Sequence, residues 1–296
     1  MMNEHTRKKL HTWMEGEGVR AMMARLFTLG EIGMSDRDEA ESAEIRTEPQ
    51  GRTRLALDDA DRQARDRLVA WMRELSLEVR VDAMGNIFGV LPAAEGGEHL
   101  PPHMIGSHID TVGNAGPLDG VYGVLAGLTL LHAFRAAETL PPRPIIAAAF
   151  TNEEGVRYQP DMMGSLVYAG GYPLEQALDT RGIDGTRLGD ELTRIGYAGS
   201  YPPGHVTPFA YLELHVEQGP VLDHEKVQIG AVTGVQGIFW QNVTVEGAAN
   251  HAGTTPTALR HDAGLAAARA GLFLRELAVR TGTLATVGSL RLEPGL

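Results

Sequence analysis

The sequence predicts an α/β fold, a mostly parallel sheet flanked by helices, followed by a smaller α+β segment. Three observations carry the first part. Residues 103–109 read as a strand, Val121, Val124, Leu125, Leu128, Leu131 and Phe134 give the next segment a helical apolar stripe, and residues 145–151 form a run too uniformly apolar for a half-exposed strand. Strand, helix and buried strand in succession mark a βαβ unit whose sheet is covered on both faces. The fourth observation is a change of character after Pro220, where short alternating segments replace the long apolar runs. Domains are therefore expected at 1–225 and 226–296.

The elements follow in order. A helix is expected near residues 19–29, with a glycine-punctuated loop after it. Asp58, Asp59 and Asp61 form an N-cap cluster ahead of Ala60, Ala64, Leu68, Trp71, Met72 and Leu75, which recur at helical spacing. Residues 77–81 and 87–91 read as two strands around the turn Asp82-Ala83-Met84-Gly85-Asn86. The prolines at 141, 142 and 144 end the helix that starts at Val121. Tyr172-Pro173-Leu174-Glu175 opens a further helix, and residues 210–216 make another strand. Beyond it, 227–235 and 237–246 are expected as an antiparallel pair, 263–277 as a helix begun by Thr255-Pro256, and 284–292 as a last strand.

Composition excludes several classes. The net charge of −12, from 38 acidic and 26 basic residues, disfavours nucleic acid and anionic membrane as partners. A small-molecule substrate is the better expectation. There are no cysteines, which removes disulfides, zinc thiolate sites and thiol nucleophiles. The first residues have no apolar signal-peptide core and no apolar run is long enough to span a bilayer, so a cytoplasmic location is expected.

The chemistry gathers where apolar strands end, the edge at which parallel sheets bind ligands. The stretch GSHIDTVGNAGPLDGVYG places His108 two residues before Asp110 and eleven before Asp119. Asp119 can be read as a helix N-cap or as a ligand. The buried run 145–151 leads into Glu153-Glu154, and the strand at 210–216 into His215-Val216-Glu217-Gln218. Each of these alone is consistent with a solvated loop. Together they place nitrogen and oxygen ligands at one edge, which suits a divalent cation, and a carboxylate able to bridge points to two. Without thiolates the candidates are Zn2+, Mn2+, Co2+ or Ni2+. Of Glu153 and Glu154, one is expected to bind metal and the other to act as general base. Asp110 is expected to accept the second ring N–H of His108 and so fix its tautomer.

With these motifs in place, the chain resembles the N-carbamoyl-L-amino-acid hydrolases, allantoate amidohydrolases and β-ureidopropionases of the dinuclear aminoacylase and metallopeptidase superfamily. The marks are GRTRLALDDADRQARD, DAMGNIFG, GSHIDTVGNAGPLDGVYGVLAGL, FTNEEGVRY, LELHVEQGPVLD and NHAGTTP, spread from Gly51 to the C-terminus. The resemblance implies a metallopeptidase-like catalytic domain and a lid or dimerisation domain, with His108 and His215 on one metal, Glu154 on the other and Asp119 bridging. It further implies Glu153 as general base, His251 as an oxyanion donor reaching a partner in a homodimer, and Gln218 as a substrate contact. The implied activity is hydrolysis of the linear C–N bond of a carbamoyl or ureido acid. An aminoacylase or dipeptidase of the same superfamily is the near alternative. The resemblance also implies a last histidine ligand and an Asn and Arg carboxylate clamp, none of which precedes Leu296. The second metal site and the smaller domain are accordingly expected to be incomplete, as in a truncated chain, and an inactive remnant or binding protein is the reading from another class.

Overall fold

The computed structural model describes residues 2–34 and 51–293. The loop expected after the first helix and the last residues, 294–296, fall wholly or largely outside them. The described residues divide into two compact units between Val227 and Gln228.

The first unit opens with α1 (Glu4–Trp13), a π-helical segment (Met14–Gly18) and α2 (Val19–Glu31). Then come α3 (Asp59–Glu74), β1 (Glu78–Val81), β2 (Ile87–Leu91), β3 (His103–His108), α4 (Val121–Ala136) and β4 (Ile145–Phe150). Three short helices, α5 (Met163–Tyr168), α6 (Leu174–Asp179) and α7 (Leu188–Arg194), precede β5 (Ala210–Leu212) and α8 (Val221–Glu225). The five strands lie in the order β1-β2-β4-β3-β5. β3 is parallel to both β4 and β5, whereas β2 is antiparallel to its neighbours β1 and β4, so β2 alone runs against the other four.

Alternation along the central strands builds two apolar layers. Ile145, Ala147 and Ala149 of β4, with Ile87 and Leu91 of β2, pack into the large core shared with α2, α3 and α4. Ile146, Ala148 and Phe150, with Phe88 and Val90, form a smaller cluster on the other face. Side chains at successive strand positions point to opposite faces, so a sheet buried on both sides needs the continuous apolar run that 145–150 supplies. Small residues set the spacing. A Cβ on Gly127 would stand 2.9 Å from the Ile105 carbonyl oxygen, and one on Gly123 would stand 2.6 Å from that of Leu214, so α4 lies close on β3 and on the segment after β5.

Two sequence features are fixed by side-chain hydrogen bonds. Asp58 Oδ1 accepts the Asp61 N–H at 2.7 Å and caps α3 as the acidic cluster predicts. In the β1–β2 turn, Asp82 Oδ1 accepts the N–H groups of Met84 (2.9 Å) and Asn86 (3.0 Å). The Asn86 side chain then ties that turn to the far end of β4. Its Oδ1 accepts the Thr151 N–H at 2.9 Å and its Nδ2 donates to Asp82 Oδ2 (2.8 Å) and the Gly164 carbonyl (3.1 Å). Asn86 is fully buried. Asn86→Ala leaves those partners unsatisfied and is expected to destabilise the protein by about 2–4 kcal/mol, read from denaturant unfolding. A loss under about 0.5 kcal/mol would contradict this account of the turn.

In the second unit the structure corrects the sequence reading. No strand is formed among its described residues: 227–246 and 284–292, expected as strands, carry no ladder. Alternation predicts a surface that fits a sheet, but a strand exists only when a neighbour takes up its N–H and C=O groups, and nothing in 228–293 does so. The long helix is present as α9 (Ala263–Thr281), capped by Asp262, whose Oδ1 accepts the Leu265 N–H at 2.9 Å. Thr255-Pro256 instead precedes a short 3-10 turn (Thr257–Leu259). The strand expected over 210–216 is likewise shorter, because pairing with β3 ends at Leu212.

Candidate metal centre

The parallel strands β3, β4 and β5 deliver their carboxyl ends to one edge, and the loops beyond carry the candidate residues. His108 is the last residue of β3 and is buried. Its Nδ1 lies 3.0 Å from the main-chain carbonyl of Asp110, which can only accept, so Nδ1 carries the ring hydrogen. Nε2 then presents its lone pair to Asp119 Oδ1 at 3.7 Å and Glu153 Oε2 at 3.5 Å. His215 repeats the arrangement. Its Nδ1 meets the Val216 carbonyl at 2.7 Å, and its Nε2 lies 3.2 Å from the same Asp119 oxygen.

Two imidazole lone pairs aimed at carboxylate oxygens repel unless a cation or protons lie between them. The ligand atoms of His108, Asp119 and His215 are all within 4.8 Å of one another, as are those of His108, Glu153 and Glu154. Glu154 Oε1 is buried with no hydrogen-bond partner. These residues fit a divalent cation: neutral nitrogen donors with their tautomers fixed from behind, oxygen donors opposite, and one orphaned carboxylate oxygen.

Titration behaviour has the same origin. Burial pushes the Glu154 carboxyl up to about 7, with Asp119, Asp110 and Glu153 adding to the rise and His108 opposing it. Burial likewise raises Glu153 and Asp110. Burial alone lowers the His108 imidazole, but the surrounding carboxylates outweigh it and the net shift is upward. Acids that hold their protons and a base that gains one are the response of a site short of positive charge.

Backbone geometry explains the placement. Gly120 has φ +63°, and a Cβ there would come within 2.5 Å of three ring atoms of His108. It is also the N-cap residue of α4, which has no side-chain cap, so Asp119 is not a helix cap and its carboxylate is free to face the histidines. Gly120→Ala would press on a ring already pinned by its Nδ1 hydrogen bond. The substitution is expected to weaken binding of a divalent ion at least tenfold, measured by titration with Co2+; unchanged affinity would contradict the packing of Gly120 against His108.

Asp110 differs from its expected role. Its carboxylate is 3.8 Å from His108 Nδ1, beyond hydrogen-bond reach. The main-chain carbonyl of Asp110 orients the ring. The two carboxylate oxygens accept the N–H groups of Glu153 (3.3 Å) and Glu154 (3.2 Å). Asp110 thus ties the loop after β3 to the loop after β4. The latter is held again by Asn152, at φ +54°, whose Nδ2 donates to the carbonyls of Tyr158 (2.8 Å) and Pro160 (3.2 Å).

Gln218, expected as a substrate contact, donates from Nε2 to Asp119 Oδ2 at 2.5 Å. Sequence reasoning passed over Glu213, on which the hydroxyls of Ser107 and Tyr211 converge. Its signal was an acid two residues before His215 on an otherwise apolar strand. His251 belongs to the second unit. There its Nδ1 accepts the N–H groups of Gly253 (3.0 Å) and Thr254 (3.2 Å), so the hydrogen of the neutral ring sits on Nε2. Arg260 braces the same turn by donating to the carbonyls of Thr255 (3.1 Å) and Ala252 (2.6 Å).

A histidine and carboxylate cluster at the carboxyl edge of an α/β sheet defines a class of candidate metal-dependent hydrolases. Comparison with known proteins gives the family. Residues 104–286 match the model of peptidase family M20/M25/M40, and the chain belongs to that family. It is 39% identical over 246 residues to an N-carbamoyl-L-amino-acid amidohydrolase of Rhizobium meliloti, covering 82% of this chain and 59% of the relative. It is 36% identical over 262 residues to a ureidoglycolate hydrolase of Arabidopsis thaliana, covering 82% of this chain and 53% of that protein. A hydantoinase/carbamoylase family amidase from Burkholderia vietnamiensis superposes with a TM-score of 0.76 at 33% identity, over 94% of this chain and 64% of that one. The chain therefore spans between about half and two thirds of the length of these proteins. Among its described residues no helix is long and apolar enough to cross a membrane.

Proposed function

We propose that the chain carries the metal centre of an amidohydrolase that cleaves the linear C–N bond of an N-carbamoyl amino acid or a related ureido acid. The observation that carries the reading is the convergence of His108 Nε2 and His215 Nε2 on Asp119, with Glu153 and Glu154 alongside. The names of the similar proteins supply the substrate class.

In this reading His108, Asp119 and His215 would hold one divalent ion, and Glu154, with its unpartnered buried oxygen, would serve a second together with Asp119. The chemistry a divalent ion would supply there is polarisation of a carbonyl oxygen and acidification of a water. Glu153 takes the proton from the attacking water and returns it to the leaving nitrogen. Burial raises its pKa, which suits a base that must also release the proton as an acid. Water adds to the carbamoyl carbon, one C–N bond breaks to release the first nitrogen as an amine or ammonia, and the carbamic acid left behind loses carbon dioxide and releases the second, so the products are an amine, ammonia and carbon dioxide.

His251, with a hydrogen on Nε2, is a donor suited to a developing oxyanion, and it would be presented to that oxygen by the smaller domain of a homodimer. Gln218 orients Asp119. Residues up to about 225 form the catalytic domain and 226–296 the lid, in a cytoplasmic protein.

The test is hydrolysis by the chain loaded with Zn2+, Mn2+, Co2+ or Ni2+, offered N-carbamoyl amino acids, allantoate and β-ureidopropionate beside N-acyl amino acids and dipeptides. Ammonia release from the ureido acids is expected. Preferential cleavage of N-acyl amino acids or dipeptides would overturn the substrate class.

A further inference from the structure

Two of the buried arginines among the described residues reach the loops that carry the centre. Arg54 and Arg65 are each 1% exposed, and both come from the stretch that leads into and forms α3. Arg54 Nε donates to the Ile109 carbonyl at 2.6 Å, and its main-chain N–H to Thr111 Oγ1 at 2.9 Å. Its Nη1 reaches the carbonyls of Leu29 (3.1 Å) and Ile32 (3.0 Å). The residues it grips on the β3 loop stand on either side of Asp110.

Arg65 does the same for the other loop. Its Nε pairs with Asp61 Oδ2 at 2.8 Å, its Nη1 donates to the Gly85 carbonyl at 2.7 Å, and its Nη2 to Thr151 Oγ1 at 3.2 Å. Thr151 follows β4 directly and lies two residues before Glu153. Asp61, fully buried, also accepts the Leu57 N–H at 2.7 Å, which fixes the segment joining the two arginines.

A guanidinium is costly to desolvate, and an apolar side chain of similar volume fills a core at least as well. Its particular gift is a rigid fork of donors that holds several acceptors in fixed relation. Here one acceptor of each fork, the Ile109 carbonyl for Arg54 and Thr151 Oγ1 for Arg65, belongs to one of the two loops whose separation sets how far His108 and Asp119 stand from Glu153 and Glu154, and the other acceptors lie at the end of α2, in α3 and in the β1–β2 turn. We infer that Arg54 and Arg65 are positioning residues for the metal centre, one clamping the β3 loop and the other the β4 loop. The inference rests on the metal-binding reading of that centre.

The test uses the full 296-residue chain and titration with Co2+, followed by calorimetry and by the visible absorption of the bound ion. Thr151→Val removes the acceptor of Arg65 while keeping shape and leaving every candidate ligand intact. It is expected to lower Co2+ affinity about tenfold and to change the absorption band, with Arg65→Lys at least as severe. Thr129→Val, at a buried threonine of α4 whose hydroxyl has no partner, is the control and should leave both unchanged. If Arg65→Lys fails to fold, Thr151→Val decides. Wild-type affinity and spectrum in Thr151→Val, beside clear loss in Glu154→Ala, would overturn the positioning role and leave the metal reading standing. Wild-type Co2+ binding in both Glu154→Ala and His108→Ala would overturn the metal reading, and the positioning role with it.

Discussion

Asp110→Asn is expected to lower divalent-metal affinity by about 10–100-fold, the range that outer partners of metal ligands command, and to destabilise the fold by about 2–4 kcal/mol. The side chain is 1% exposed and each carboxylate oxygen accepts one N–H, from Glu153 and from Glu154. An amide in that buried place sets its own NH2 group against one of those donors. The link between the β3 and β4 loops then fails on one side. The main-chain carbonyl that orients His108 is retained, so the histidine should keep its tautomer while the glutamates lose their register. Calorimetric titration and thermal unfolding of the same variant check both parts. Undiminished affinity would show that the carboxylate does not hold the two loops together.

Glu153→Gln is expected to separate binding from chemistry. The exchange is isosteric and removes the basic oxygen, so hydrolysis should fall by about 10²–10⁴-fold, the usual contribution of a positioned general base. Metal affinity should stay within about threefold, since His108, Asp119, His215 and Glu154 are all retained. Glu153 is the more open of the pair, with its side chain 35% exposed, whereas Glu154 has an oxygen buried without a partner. That contrast favours Glu154 as the ligand and Glu153 as the group that meets water. The ligand atoms of both nevertheless lie within 4.8 Å of one another and of His108. A tenfold or greater loss of affinity in Glu153→Gln would move Glu153 into the ligand set and leave the base unassigned.

The strands β2, β3 and β4 and the helices α3 and α4 were legible in the sequence because each rests on a local regularity: an apolar run, a helical stripe or an acidic cap. The candidate ligands were legible for a related reason. Where a buried run such as 145–150 stops and charged residues begin, the chain has reached the edge of the sheet. What stayed hidden depends on partners that no local pattern names. The alternation at 227–246 fits a strand, yet a ladder needs a neighbour. Asp110 orients His108 through its main-chain carbonyl, and a main-chain acceptor leaves no mark in residue identity. Arg54 and Arg65 look solvated in any hydropathy profile, and only their burial reveals that they grip the loops of the centre. Asp119 could be read as a cap or as a ligand until the backbone showed Gly120 to be the cap residue.

The central claim is that His108, Asp119 and His215 form a centre for a divalent ion. Anomalous diffraction from crystals soaked in Zn2+ or Mn2+, recorded on either side of the metal's absorption edge, tests it most directly. The account predicts a peak about 2.0–2.2 Å from His108 Nε2, His215 Nε2 and an Asp119 oxygen. A saturating soak that gives no peak there, or places the ion on other side chains, would contradict it.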